Sequence, residues 1–185
     1  MRQPARSVTY LERAQWFDLG LLSPADTRLA LAGTTAAAGR SMSRTAAELL
    51  AQASGGYPYA IQVFGRHAWR TSERRGATQV TLAHARAALA PAEAELTSGL
   101  YAARWDDASP KERDYLRSVA TTADDSGTAR GGEIARLLGQ TPRSVSYLRE
   151  RLVRKGTLFG QGEQLRLVVP GMAEFIRGRF DALQR

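Results

Sequence analysis

Residues 131–170 read GGEIARLLGQTPRSVSYLRERLVRKGTLFGQGEQLRLVVP. Ile134, Ala135, Leu137 and Leu138 predict a short apolar helix that Gly139 closes. Thr141 then caps a second helix, and Pro142 takes its first position, where a missing N–H costs nothing. Two helices joined by a turn of roughly three to four residues containing Gly match the helix-turn-helix spacing. On the second helix Val145, Leu148 and Leu152 share the side expected to face the core. Arg143, Ser146, Tyr147, Glu150 and Arg154 share the other side, with Arg151 flanking it. Gly156 ends this helix. Leu158-Phe159 and the run from Leu165 to Val169 are expected to pair as a β-hairpin across Gln161-Gly162. Pro170 stops the second strand, and an amphipathic closing helix is expected from Met172 to Leu183. A basic helix beside a basic hairpin is the layout of a winged-helix domain.

Upstream, Ser109-Pro110-Lys111-Glu112 has the S-x-x-E capping-box pattern with Pro at the first helical position. The helix it opens presents Tyr115, Leu116, Val119 and Ala120, and the Thr121–Gly131 stretch reads as a mobile loop. The junction falls at Asp106-Asp107-Ala108, so a winged helix is expected over 106–185. Before it, a run of short helices predicts a lid-like bundle. Gln15–Leu22 reads as a strand or extended lead-in. A helix capped by Ser23 stops before Gly33, and 33–40 is a loop. A helix capped by Ser43 places Ala46, Leu49, Leu50 and Ala53 on one stripe and ends at Gly55-Gly56. Pro58 opens the longest helix, with Tyr57, Ile61, Phe64 and Ala68 inward and Arg66, Arg70 and Arg74 on the opposite face. Thr81 caps a helix to Leu89, and Pro91 restarts one that reaches Trp105. The fold class is therefore mainly α: a helical bundle, then a winged helix with a small β-hairpin.

The 185 residues suffice for a sizeable core. There is no cysteine, which excludes disulfides, thiolate metal sites and a Cys nucleophile and fits a reducing cytoplasm. No segment approaches ~18 uninterrupted apolar residues, so no membrane span is expected. The N-terminal MRQPARSVTY lacks the apolar core of a signal peptide. A net charge of +8 points to a polyanionic partner. The charge is uneven: ten basic residues against four acids lie between Arg130 and Arg179. A high-GC genome accounts for Arg over Lys, but not for that concentration at one end.

A recognition helix needs long hydrogen-bond donors on its outward face. Arg143 reaches guanine edges or phosphates, and Ser144 and Ser146 reach phosphates. Tyr147, Arg151, Arg154 and Lys155 complete the helix side of a DNA-binding set, and Gln161 and Arg166 supply the wing. These cations are expected to converge into one ridge for double-stranded DNA. Glu150 opposes phosphate, and Arg149 on the inner flank is expected to make a structural ion pair. Winged helices also serve as protein-binding modules, so a protein partner stays open.

The stretch YLERAQWFDLGLLSPAD at 10–26, GGYPYAIQVFGRHAW at 55–69, SPKERDYL at 109–116, EIARLLG at 133–139 and VPGM at 169–172 together resemble the C-terminal part of bacterial AAA+/STAND-like ATPases. That layout, a helical lid and then a winged helix, is shared with origin-recognition-type ATPases. The resemblance implies that residues 1–105 hold the end of an ATPase core plus the lid. It implies that Gly56, Tyr57 and Pro58 approach a bound nucleotide in the intact protein. The same three residues also read as a helix C-cap followed by a helix-opening proline, which needs no ligand. No G-x-x-x-x-G-K-[ST] occurs, so the phosphate cradle is missing and no ATP hydrolysis is expected of this chain alone. ATP and Mg²⁺ would belong to a nucleotide-binding core outside it.

Other chemistry finds no support in the spacing. His67 and His84 are not spaced as metal ligands, and no G-x-S-x-G elbow occurs. Asp106-Asp107 and Asp124-Asp125 read as loop or capping groups. Trp16, Trp69 and Trp105 read as core anchors, and Arg66, Arg70 and Arg74 as a solvated face or a second anion-binding stripe. Three functions remain: the C-terminal part of an ATP-dependent switch whose winged helix binds DNA, a stand-alone transcription regulator, and a protein-binding adaptor.

Overall fold

The computed structural model describes residues 20–124 and 126–181, with side chains to 179. Most of the expected strand at 15–22, Trp16, Asp125 and the end of the closing helix at Leu183 lie outside the described residues. Ser23 opens α1 (Pro24–Ala37), its hydroxyl oxygen accepting from the Asp26 N–H at 3.1 Å. α1 does not stop before Gly33. Leu31 and Thr35 are buried one turn apart, so packing carries the helix past the glycine until Gly39 turns the chain at φ +69°. Two-residue strands β1 (Ser41–Met42) and β2 (Gln79–Val80) then pair in parallel. They are too short for periodicity to reveal.

Ser43 caps α2 (Arg44–Ser54), and Gly55 closes it in the left-handed conformation. Its buried face is Ala46, Ala47, Leu50, Ala51 and Ser54. Leu49 and Ala53 sit at its edge, half-buried. α3 (Pro58–Glu73) buries Ile61, Phe64 and Ala68 as expected, with Tyr57 half-buried. α4 (Leu82–Leu96) does not break at Pro91. Ala88, Ala92 and Leu96 continue one buried stripe, and their packing outweighs the single donor that proline removes. His84 is buried and belongs to the cap of this helix: its Nδ1 accepts from the Thr81 N–H at 3.2 Å. A π-helical turn (Thr97–Tyr101) and α5 (Ala102–Asp106) extend the rod to the winged helix.

The winged helix follows the order α6 (Pro110–Thr122), β3 (Thr128–Arg130), α7 (Gly131–Leu137), α8 (Pro142–Arg154), β4 (Leu158–Gln161), β5 (Gln164–Leu167) and α9 (Met172–Asp181). Its sheet runs β3-β5-β4, antiparallel throughout. β3 lies in the stretch expected to be a mobile loop. Asp124 organises that stretch, its Oδ1 accepting from the Ser126 N–H at 2.9 Å and the Thr128 N–H at 3.0 Å. The hairpin turn is Gly162-Glu163, one residue later than expected, because Gln161 pairs with Gln164 in the ladder. Leu116, Val119, Ile134, Leu152, Leu158, Leu165, Met172 and Ile176 fill the core, whereas Leu137 points outward.

Tight approaches join the two parts. Tyr101 donates its hydroxyl to the Pro170 carbonyl at 2.8 Å. A Cβ on Gly171 would fall 2.6 Å from that hydroxyl, and one on Gly55 2.7 Å from Pro170 Cγ. Arg104 Nη1 donates to the Gly156 carbonyl at 2.6 Å, and Arg104 Nη2 lies 3.5 Å from the Tyr57 hydroxyl. At Gly56, φ is +73° and a Cβ would lie 2.2 Å from the Leu22 carbonyl oxygen. The Gly56 carbonyl itself accepts from the Leu22 N–H at 2.9 Å.

Glu112 anchors the winged helix from inside. Its side chain is fully buried. Oε2 accepts from the Ser109 N–H at 2.7 Å and from Lys155 Nζ at 3.2 Å, and Oε1 faces Arg151 Nε at 3.2 Å. Lys155 also reaches the Asp107 carboxylate at 3.2 Å. Burial opposes the charged carboxylate, but the hydrogen bonds from the Ser109 backbone and hydroxyl and from Lys155 prevail and hold its pKa below the usual range.

Two stability predictions follow from this packing. Gly56→Ala brings both a clash and a strained backbone, and should cost about 2 kcal/mol or more, read as a drop in Tm of several degrees. Glu112→Gln should cost about 2 kcal/mol at neutral pH, since among the described residues it leaves Arg151 without a charged partner and Lys155 with Asp107 alone. Because the folded carboxyl is held low, its contribution is present above an unfolded pKa of about 4.3 and fades as pH falls below it. The Tm gap between wild type and Glu112→Gln should therefore narrow in acid, and a gap independent of pH would refute the clamp.

Candidate nucleic-acid interface

The outward stripe of α8 comes from helical geometry. Arg143, Tyr147, Glu150 and Arg154 recur at i, i+4, i+7 and i+11, which at 3.6 residues per turn brings them to one face. All four are exposed. At 1.5 Å per residue, Arg143 and Arg154 stand about 16 Å apart along the axis. Neither guanidinium has a hydrogen-bond or ion-pair partner among the described residues. On the opposite side Val145, Leu148 and Leu152 are buried, so core packing fixes which face looks out.

The other expected contacts are not gathered into one cationic ridge. Arg151 and Lys155 turn to Glu112, and the Lys155 Nζ also donates to the Asp107 carbonyl at 2.8 Å. The capping carboxylate of α6 sits buried below the last turn of α8 and draws both cations back. Arg149 makes a hydrogen bond to the wing, not the expected ion pair: its Nη2 donates to the Gly162 carbonyl at 2.6 Å. The hydroxyl of Ser144 donates to the Thr141 carbonyl at 2.8 Å and that of Ser146 to the Arg143 carbonyl at 3.0 Å. Both protons serve the helix, and the Ser144 oxygen also accepts from the Thr141 N–H at 3.2 Å.

The sheet brings the expected Gln161 and Arg166 onto one face and adds residues that the sequence did not reveal. Side chains alternate along a strand, and directly paired residues share a face. Thr128 pairs with Arg166, Arg130 with Gln164, Phe159 with Arg166 and Gln161 with Gln164. One face therefore carries Arg130, Gln161, Gln164, Arg166 and Phe159, while Ala129, Leu158 and Leu165 go to the core. Arg166 lies over the Phe159 ring, 4.9 Å from its centroid. Arg130 was missed because β3, three residues long, lies in a polar stretch whose only strand signal is its tertiary partner β5.

Gly56, Tyr57 and Pro58 sit at the joint between bundle and wing. Gly56 holds the Leu22 backbone, the Tyr57 hydroxyl faces Arg104, and Pro58 opens α3. Tyr57 and Pro58 also line a cavity of about 450 Å³ with Gly156, Phe159, Arg166 and Val168. On α3, Arg66 is bound to Glu95, which His67 also contacts at 2.8 Å, while Arg70 and Arg74 are exposed. Trp105 is buried, and Trp69 is half-buried beneath the Arg40 guanidinium. Among the described residues no His, Asp or Glu cluster could hold a metal ion, and no helix is long and apolar enough to cross a membrane.

A protein-family profile described as "Domain of unknown function (DUF8462)" matches residues 98–176, from the π-helical turn into α9. No curated protein matches the sequence. Among solved structures the chain is similar to RuvB of Thermotoga maritima, described as a Holliday junction branch migration motor, at 12% identity and a TM-score of 0.39. Two point variants of that protein give TM-scores of 0.41 and 0.39 at the same 12% identity. Each match covers 90% of this chain and 50% of the RuvB chain, so the chain spans about half the length of the structures it resembles.

Proposed function

We propose that this chain binds double-stranded DNA through α8 and the outer face of the wing sheet, as the C-terminal part of a longer ATP-dependent switch. The observation that carries the DNA reading is the pair Arg143 and Arg154. They are exposed and unpaired among the described residues, on one stripe of a helix whose opposite face is locked into the core. A helix of this kind fits the major groove, its N-terminal Arg143 towards base edges and Arg154 towards the backbone. Arg130 and Arg166, on one face of the wing sheet, would add positive charge on the wing.

The switch reading rests on the sequence resemblance to AAA+/STAND-like ATPases. ATP and Mg²⁺ would be held by a nucleotide-binding core outside this chain, with Gly56, Tyr57 and Pro58 nearest to it. Arg104, which reaches both Tyr57 and the end of α8, supports mechanical coupling between such a core and the recognition helix. A second reading, a protein-binding adaptor, is favoured by the exposed Leu137 and Tyr147 of the helix-turn-helix.

A duplex-DNA titration over a range of salt separates the two. Arg143→Ala and Arg154→Ala should each weaken binding several-fold. A variant that loses a phosphate contact should also lower the salt slope by about 0.9. Glu150→Gln removes the one acid from the stripe and should tighten binding, while Arg70→Ala on α3 should leave it unchanged. Wild-type protein that shows no salt-dependent affinity for duplex DNA would leave the adaptor.

A further inference from the structure

The wing tip is pinned from two sides. Gly162, at φ +58°, and Glu163 form the two-residue turn between β4 and β5. The Gly162 carbonyl accepts from Arg149 Nη2 of α8 at 2.6 Å. The Glu163 carbonyl accepts from the Gly131 N–H at 2.9 Å, where β3 runs into α7. Gly160 leaves room for the first of these: a Cβ there would lie tightly, 3.0 Å from Leu165 Cδ2 and 3.1 Å from Arg149 Nη2. The guanidinium thus crosses the strand over a glycine to reach the turn. Arg149 has no carboxylate partner among the described residues, so its charge is directed at a backbone dipole, a charge-assisted bond. A hairpin alone holds its tip loosely. Here Leu158 fixes the base in the core, Leu165 fixes the strand two residues past the turn, and Arg149 holds the turn itself to the recognition helix.

We propose that Arg149 is a positioning residue that sets the wing against α8, so that Gln161, Gln164 and Arg166 engage the DNA that Arg143 engages. This rests on the DNA-binding reading above. Arg149 itself touches no phosphate. It differs from Arg143 and Arg154 in facing the inner flank, half-buried, with Nη2 already bonded to the wing turn.

The test uses the full chain with Arg149→Met, which keeps the aliphatic stem, and Arg149→Lys, which keeps one donor. In the free protein, ¹⁵N relaxation should show the Gly162 and Glu163 amides falling from a rigid order parameter of about 0.85 to below about 0.6 in Arg149→Met. Arg149→Lys should recover part of that order. On duplex DNA, Arg149→Met should lose roughly tenfold in affinity. Once Arg149 is Met, the further change Arg166→Ala should cost almost nothing, while Arg143→Ala should keep its full effect. The brace is overturned if the two amides stay equally rigid in Arg149→Met. It is also overturned if Arg166→Ala costs as much with Met at 149 as in wild type, since Arg149 would then be an independent contact. If wild type binds no DNA, the DNA reading fails, and the relaxation measurement still decides whether Arg149 holds the wing.

Discussion

The winged helix depends on a single buried carboxylate. Glu112 caps the first turn of α6 through the Ser109 N–H and receives Lys155 and Arg151 from the last turns of α8. A charge with no exposed surface is tolerable only when it is met by donors and opposite charge: here Oε2 accepts from a backbone N–H and Lys155, and the Arg151 guanidinium stands beside Oε1. One residue therefore fixes the start of one helix and the end of another. It also sets apart the basic residues of α8: the stripe through Arg143 and Arg154 is unpaired among the described residues, and Arg151 and Lys155 are paired with Glu112.

A second constraint is the closeness of the joint between bundle and winged helix. Gly171 admits the Tyr101 hydroxyl, Gly55 admits Pro170, and Gly56 admits the Leu22 backbone. At each of these positions a Cβ would occupy space already filled. Arg104 adds a polar link from the Gly156 carbonyl, at the end of the recognition helix, to the Tyr57 hydroxyl, at the start of α3. The Gly55–Pro58 turn and the C-terminal end of α8 are therefore linked through one side chain. In the switch proposed above, this link would join the bundle side to the helix-turn-helix.

Helix termini were legible wherever a side chain acts on its own backbone. Ser23, Ser43, Ser109 and Thr141 all cap the helices their positions predict, and Gly55 closes α2 in the left-handed conformation. Local chemistry failed where packing opposed it. Gly33 and Pro91 each read as breaks, and both lie inside helices held by buried neighbours one turn away. The short strands β1, β2 and β3 were not legible, because two or three residues show no period and owe their conformation to a distant partner.

The candidate interface divides along the same line. The sequence by itself determined the helix-turn-helix, the wing and the outward stripe of α8, because a 3.6-residue period and a core-facing Val145, Leu148 and Leu152 leave Arg143 and Arg154 no other side. Only the tertiary structure decided the fate of the remaining cations. Arg151 and Lys155 belong to Glu112, Arg149 belongs to the wing turn, and Arg130 joins Arg166 on the sheet face. The physical reason is distance along the chain. A cap or a helical face is set within a few residues, whereas the partner of a long, charged side chain is set by whatever the fold brings within about 3 Å of its end.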